Sequence, residues 1–211
     1  MDQQNPYQPP GADLVAEPAQ DLPGAPPFGS GFLRAGAWSC GAALVLALPY
    51  YWESWFRGSF PLAVTIALGV VNTLLSIYVL YVLVRYLEYR HAAVGLRPLF
   101  YCLVVAGALV GISGIWLMLD DSEGLSPAMW ATIVAMPLFG IPHALFGFRL
   151  KRFGHRSPML VAIGWLTIIS GFSVTSVFLA LISVPLEFIS SLLLVVVLLA
   201  GAREIRAAGF P

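Results

Sequence analysis

The chain has 211 residues, of which 59% belong to the apolar set AVILMFWYC and only 10% are charged. Soluble domains carry about 25% charged residues, so a water-soluble globule is excluded. Eleven basic and eleven acidic residues cancel, which leaves no basic field to attract nucleic acid.

Residues 1–31 hold seven of the sixteen prolines and four acids, Asp2, Asp13, Glu17 and Asp21, with no Lys or Arg. Such a stretch cannot bury enough apolar surface to offset the entropy lost on ordering. It reads as a disordered, Pro-rich cytoplasmic tail, and it lacks the basic start and apolar stretch of a signal peptide. Its opening, Asn5-Pro6-Tyr7-Gln8-Pro9-Pro10, resembles the N-P-Y-x-P-P start of small polytopic bacterial inner-membrane proteins. The resemblance covers six residues and implies a class of protein, with no activity attached. A plain spacer and a docking motif for a Pro-reading partner both fit this composition.

A bilayer core about 30 Å thick needs about 20 helical residues. Uncharged stretches of that length predict an all-α, polytopic transmembrane bundle over residues 32–202, with spans at 33–52, 60–84, 99–119, 127–148, 158–182 and 186–202, and a short cytoplasmic C-terminus at 203–211. The last two spans come from one long apolar run, divided at Ser183-Val184-Pro185-Leu186-Glu187. A proline and the run's only acid coincide there, which predicts a tight hairpin.

The charges support six crossings, because cytoplasmic loops accumulate Lys and Arg. With both termini inside, Arg34, Arg85, Arg90, Arg97, Arg149, Lys151, Arg152, Arg156, Arg203 and Arg206 all fall on one side, and Arg57 alone on the other. Glu53, Asp120, Asp121, Glu123 and Glu187 accompany Arg57 on the outer side, near a belt of Tyr50, Tyr51, Trp52, Trp55, Trp116 and Trp130. A multi-pass protein of the cell membrane, in bacteria the inner membrane, is expected. Its basic inner loops would also attract anionic lipid headgroups.

Helices in lipid associate through small residues and interhelical hydrogen bonds. Thr65, Gly69, Asn72 and Ser76 share one face of span 2; Gly107, Gly111 and Gly114 form a seam on span 3; Gly164, Thr167, Gly171 and Thr175 do so on span 5, flanked by Ser170. These stripes place spans 2, 3 and 5 at the bundle's centre, though a seam facing a protein partner or a second copy of the chain would read identically. Asn72 lies near the midplane, where its amide is expected to bond Thr167 or Ser170. In span 4, Pro137 and Pro142 flank Gly140, and each proline removes a backbone donor, so this helix should kink or break. His143 follows directly. No carboxylate was expected in any span interior to join it in a proton relay, so a neutral imidazole bonded to a nearby hydroxyl or carbonyl is expected.

Cys40 and Cys102 sit in apolar stretches and suggest neither a disulfide framework nor a metal site. His91 and His155 lie in basic loops, with no spacing that calls for metal. Walker, Rossmann, zinc-protease and nucleophile-elbow patterns are missing, so no cofactor and no catalytic centre is expected. The primary expectation is a non-catalytic interaction or membrane-organising component. The alternative is a small solute carrier or channel subunit, with a path between spans 2, 4 and 5 lined by Asn72, Ser76, Thr167, Ser170 and the segment before His143.

Overall fold

A computed structural model describes residues 24–55, 60–120, 124, 126–153, 157–176 and 179–210. The tail through residue 23 lies outside the described residues, as do Arg57, Asp121, Glu123, His155, Arg156 and the side chains of residues 50–55. Six helices are present: α1 (Ser30–Trp55), α2 (Leu62–His91), α3 (Leu96–Leu119), α4 (Pro127–Arg152), α5 (Pro158–Thr175) and α6 (Ala180–Ala207). Each is long and apolar enough to cross a membrane, and no strand occurs among the described residues. At 1.5 Å per residue the 30 residues of α2 extend about 45 Å and the 18 of α5 about 27 Å, so α2 has length to spare while α5 barely crosses.

Local chemistry sets several of the ends. Pro127 and Pro158 open α4 and α5 in the first turn, where a missing N–H costs nothing. The Ser126 hydroxyl accepts a hydrogen bond from the Met129 N–H at 3.2 Å, capping α4. Between α2 and α3 the chain turns through Ala92 (φ 48°) and Gly95 (φ 85°); only the glycine takes that left-handed conformation freely.

Two expectations are corrected, the position of one turn and a break in span 4. The turn between the last two spans falls after Thr175, and α6 already runs from Ala180 through Pro185. Proline loses one intrahelical bond near a helix start, and neighbouring helices can make good that loss in a bundle. Glu187 therefore belongs to a membrane helix and not to a loop. In α4, Pro137 and Pro142 both lie inside one unbroken helix. The tail also orders earlier than composition suggests: Tyr89 donates its phenolic hydrogen to the Gly24 carbonyl at 2.8 Å, and Phe28 packs edge-on against Tyr89.

The helices close a ring. Each packs chiefly on its sequence neighbours, and α1 meets α6 to complete the circle. Both termini of the bundle lie at one end, here the terminal end, with the distal end opposite. The terminal half is solid: Leu33, Leu83, Leu87, Leu96, Leu150, Leu160, Leu198 and Ile205 are fully buried in one cluster contributed by all six helices. Ion pairs brace its rim. Arg97 holds Glu88 through two hydrogen bonds of 2.6 and 2.9 Å, and Arg90 meets Glu204 at 3.3 Å.

The most extensive contact in the ring is between α4 and α5. A Cβ placed at Gly147 would come within 2.7 Å of the Gly164 carbonyl oxygen, and one at Gly171 within 2.5 Å of the Ala144 nitrogen. Backbone here touches backbone. Half of the membrane stretch of α5 is buried, against 17% of an 18-residue stretch of α2 and of α3, so the tightest packing is in the α4–α5 pair and not among spans 2, 3 and 5. The α2–α3 contact is the thinnest in the ring. The seam on span 3 is also not a packing seam within the chain: Gly111 and Gly114 have nothing within 4 Å of a Cβ position, and Gly107 meets only the Phe139 ring, at 3.6 Å.

Gly147→Ala and Gly171→Ala must push the α4 and α5 backbones apart, and each is expected to cost about 1–3 kcal/mol, the usual range for overpacking. Gly111→Ala enters open space and should cost nothing. Unfolding of the purified protein in mixed micelles, followed by far-UV circular dichroism, checks the contrast.

Candidate functional site

The same ring that is solid at its terminal half is hollow above it. A cavity of about 950 Å³ is lined by all six helices, from Phe60, Leu62, Leu117 and Met118 near the distal end down to a floor of Leu83, Leu103, Phe146, Leu150 and Ile163. The floor residues belong to the terminal core. The walls are mostly apolar, with a polar set of Thr65, Asn72, Thr73, Ser76, Thr132, His143, Thr167, Ser170, Glu187, Ser190 and Ser191.

Glu187 is the one carboxyl-bearing residue among the described lining residues, and no Lys or Arg lines the chamber with it. It lies seven residues into α6, about 11 Å below the helix's distal end. The Ser170 hydroxyl donates to its Oε1 at 3.0 Å, tying α5 to α6. Ser170 can be spared for this because it is fully buried beside Gly171, where α5 presses on α4. The neighbouring side of α5 then faces the chamber.

Three other lining hydroxyls bond back to their own helices. Thr167 donates to the Ile163 carbonyl at 2.7 Å, Thr73 to Gly69 at 2.8 Å and Thr132 to Ala128 at 2.9 Å. This satisfies the hydroxyl locally, and Thr132 also reaches the Ser113 carbonyl of α3 at 3.3 Å. Two groups break the pattern: the Thr65 hydroxyl and the Asn72 Oδ1 are buried without hydrogen-bond partners. The expected bond from Asn72 to Thr167 or Ser170 is absent, since Thr167 is taken by its own helix and Ser170 by Glu187.

His143 lines the chamber with its ring against Phe139, centroids 5.3 Å apart, and no hydrogen bond to it forms among the described residues. The expected hydroxyl or carbonyl partner is therefore not found. It sits sixteen residues below the start of α4, about 24 Å down, so it and Glu187 occupy different depths.

The structure thus brings Asn72, Ser76, Thr167, Ser170 and His143 onto one cavity, and Gly107, Gly111 and Gly114 line it as well. Pro137 and Pro142 do not line it, while Gly164 and Gly171 serve the α4–α5 contact. Thr65, read on the same stripe of span 2 as Asn72, lines the cavity too, while sequence reading missed Glu187, Ser190 and Ser191 as lining residues. Ser183, Glu187, Ser190 and Ser191 follow the i, i+4, i+7, i+8 spacing of one helical face, a signal hidden by placing a hairpin there. No cluster of three or more His, Cys, Asp or Glu able to hold a metal occurs among the described residues.

Fold and chamber define a multi-pass α-helical membrane protein with a hollow distal half. No protein-family model, curated protein or solved structure matches the chain.

Ser170→Ala strips Glu187 of its donor and is expected to destabilise by about 1–3 kcal/mol, the cost of an unsatisfied buried group. Asn72→Leu removes an acceptor that has no partner, so stability should hold or rise. An interhelical bond at Asn72 would predict the reverse. Chemical unfolding of both variants in micelles distinguishes these outcomes.

Proposed function

We propose that this protein is a small-solute carrier of a cell membrane, in bacteria the inner membrane, with the distal chamber as its binding compartment. One observation carries the reading: a membrane carboxyl group opens onto a chamber of about 950 Å³. The chamber is partly open to its surroundings, so water, lipid or ligand occupies it. A bundle selected for packing or for surface interactions alone has no use for such a void, which favours the carrier reading over the interaction component.

The solid terminal half supports a carrier more than an open channel subunit, because a floor of Leu83, Phe146 and Leu150 stops the chamber partway across. The size also suits a ligand, since such pockets usually measure about 300–1,000 Å³. No hydroxyl or thiol among the described lining residues is hydrogen-bonded to His143, so the reading includes no catalytic step. The terminal end faces the cytoplasm in this proposal, since Arg85, Arg90, Arg97, Arg149, Lys151 and Arg152 gather there. Arg149, Lys151 and Arg152 also border an apolar groove with Leu99, Leu145 and Phe148, which suits the headgroup and chains of an anionic lipid.

Proteoliposomes offered labelled amines, amino acids and sugars should take up at least one of them saturably. Gly111→Trp, which fills the chamber from an open position, should lower uptake at least tenfold, and Asn72→Leu should lower it less. Absence of saturable uptake across the panel rejects the carrier. Orientation is tested by single cysteines at Gly124 and Gly209 in a Cys40→Ala, Cys102→Ala background. In intact cells a membrane-impermeant maleimide should label the first and not the second, and labelling of both or of the second alone reverses the assignment.

A further inference from the structure

The chemistry of the chamber walls narrows what it can hold. Among the described lining residues there is one carboxyl group and no Lys or Arg. A ligand carrying an anionic group would meet Glu187 with no Lys or Arg to offset it and with His143 at a different depth, and like charges in a low-dielectric space repel strongly. Glu187 accepts one hydrogen bond, from Ser170 to Oε1, and no described residue bonds its second oxygen. That oxygen is free to face a cation.

An inorganic cation is a poor fit. Stripped of water, a hard metal ion such as Ca²⁺ seeks about 6–8 oxygen ligands. Near Glu187 the chamber provides only the hydroxyls of Ser170, Ser190 and Ser191, too few for such a shell, while most of its remaining surface is apolar. Such walls suit an apolar body, and aromatic rings such as Phe60 and Phe139 that border the chamber can attract a diffuse cationic charge.

We infer that the ligand of the distal chamber is a monovalent organic cation with an apolar body, its charged centre seated against the Glu187 carboxylate and its body against the leucine and phenylalanine walls. This rests on the carrier reading and adds the class of its substrate. Ser170 acts as a positioning residue: its hydroxyl holds Oε1 and leaves the other oxygen turned to the ligand.

The test uses the full-length protein in detergent micelles and equilibrium dialysis with radiolabelled tetraphenylphosphonium, an apolar monovalent cation. Its nearly isosteric anion, tetraphenylborate, is dialysed against the protein separately, because the two ions pair when mixed. The inference expects saturable binding near one cation per chain, at least tenfold weaker in Glu187→Gln and largely retained in Glu187→Asp, and no saturable binding of the borate. Circular dichroism and the unfolding midpoint of each variant show that it is folded.

Equal binding by wild type and folded Glu187→Gln overturns the inference, as does saturable binding of the borate in the separate dialysis. Absence of saturable binding to the wild type overturns it too. Gly111→Trp separates the two levels of the argument. If it abolishes binding while Glu187→Gln leaves it intact, the chamber is the site and the cation class is wrong. If binding survives Gly111→Trp unchanged, the chamber is not the site and the carrier reading falls with the inference.

Discussion

Direct backbone contact between α4 and α5 is the constraint on which the rest of this architecture depends. Lipid offers no hydrophobic force to hold two apolar helices together, so their association rests on dispersion over a close-fitting surface and on a few polar bonds. Gly140, Ala144 and Gly147 on one helix meet Gly164 and Gly171 on the other with no room for larger side chains. This pins the shortest helix of the ring, which fixes the direction of its other face. Ser170, next to Gly171, is thereby held where it can reach Glu187 of α6. The packing surface and the polar site are two sides of one helix.

A ring of six helices whose contacts run mainly between neighbours cannot be filled by side chains along its whole length. The terminal half solves this with leucines that reach across the axis and with Tyr86, whose ring lies 2.7 Å from the Cβ position of Gly201. The distal half carries smaller lining residues, among them Gly107, Gly111, Gly114, Ser170, Ser190 and Ser191, and stays open. Glycines without a packing partner therefore have a simple physical consequence, which is width. The thin α2–α3 contact belongs to the same pattern, because α3 turns its glycines toward the hollow while α2 turns Asn72, Thr73 and Ser76 there.

How much of this was legible in the sequence depends on which physical signal each feature leaves. Six crossings follow from length and apolarity alone, and a cap such as Ser126 before Pro127 marks a helix start without tertiary information. The turn between α5 and α6 was misplaced because Pro185 and Glu187 look like breakers when read locally, whereas a ring of neighbours tolerates the first and encloses the second. Small-residue stripes are equally ambiguous. Gly164 and Gly171 touch a backbone, while Gly111 and Gly114 face a void, and a 3.6-residue period identifies a face without saying what stands opposite. The unpartnered state of Asn72 could not be read either, since it depends on Thr167 and Ser170 being committed elsewhere.

The position of one acid changes the functional argument. In a distal loop Glu187 would be a solvated charge of no consequence, and among the described lining residues no Asp, Glu, Lys or Arg would remain beside His143. On α6 it becomes a carboxyl group inside the bundle, held by one hydroxyl and bordering a chamber with no Lys or Arg among its described lining residues. Structural neutrality would be served better by glutamine, which has a similar shape and could also accept the Ser170 hydrogen bond. What glutamine cannot do is exchange a proton or pair with a cation. A costly group placed where a neutral one would suffice for packing is therefore best explained by the chemistry that only a carboxylate provides.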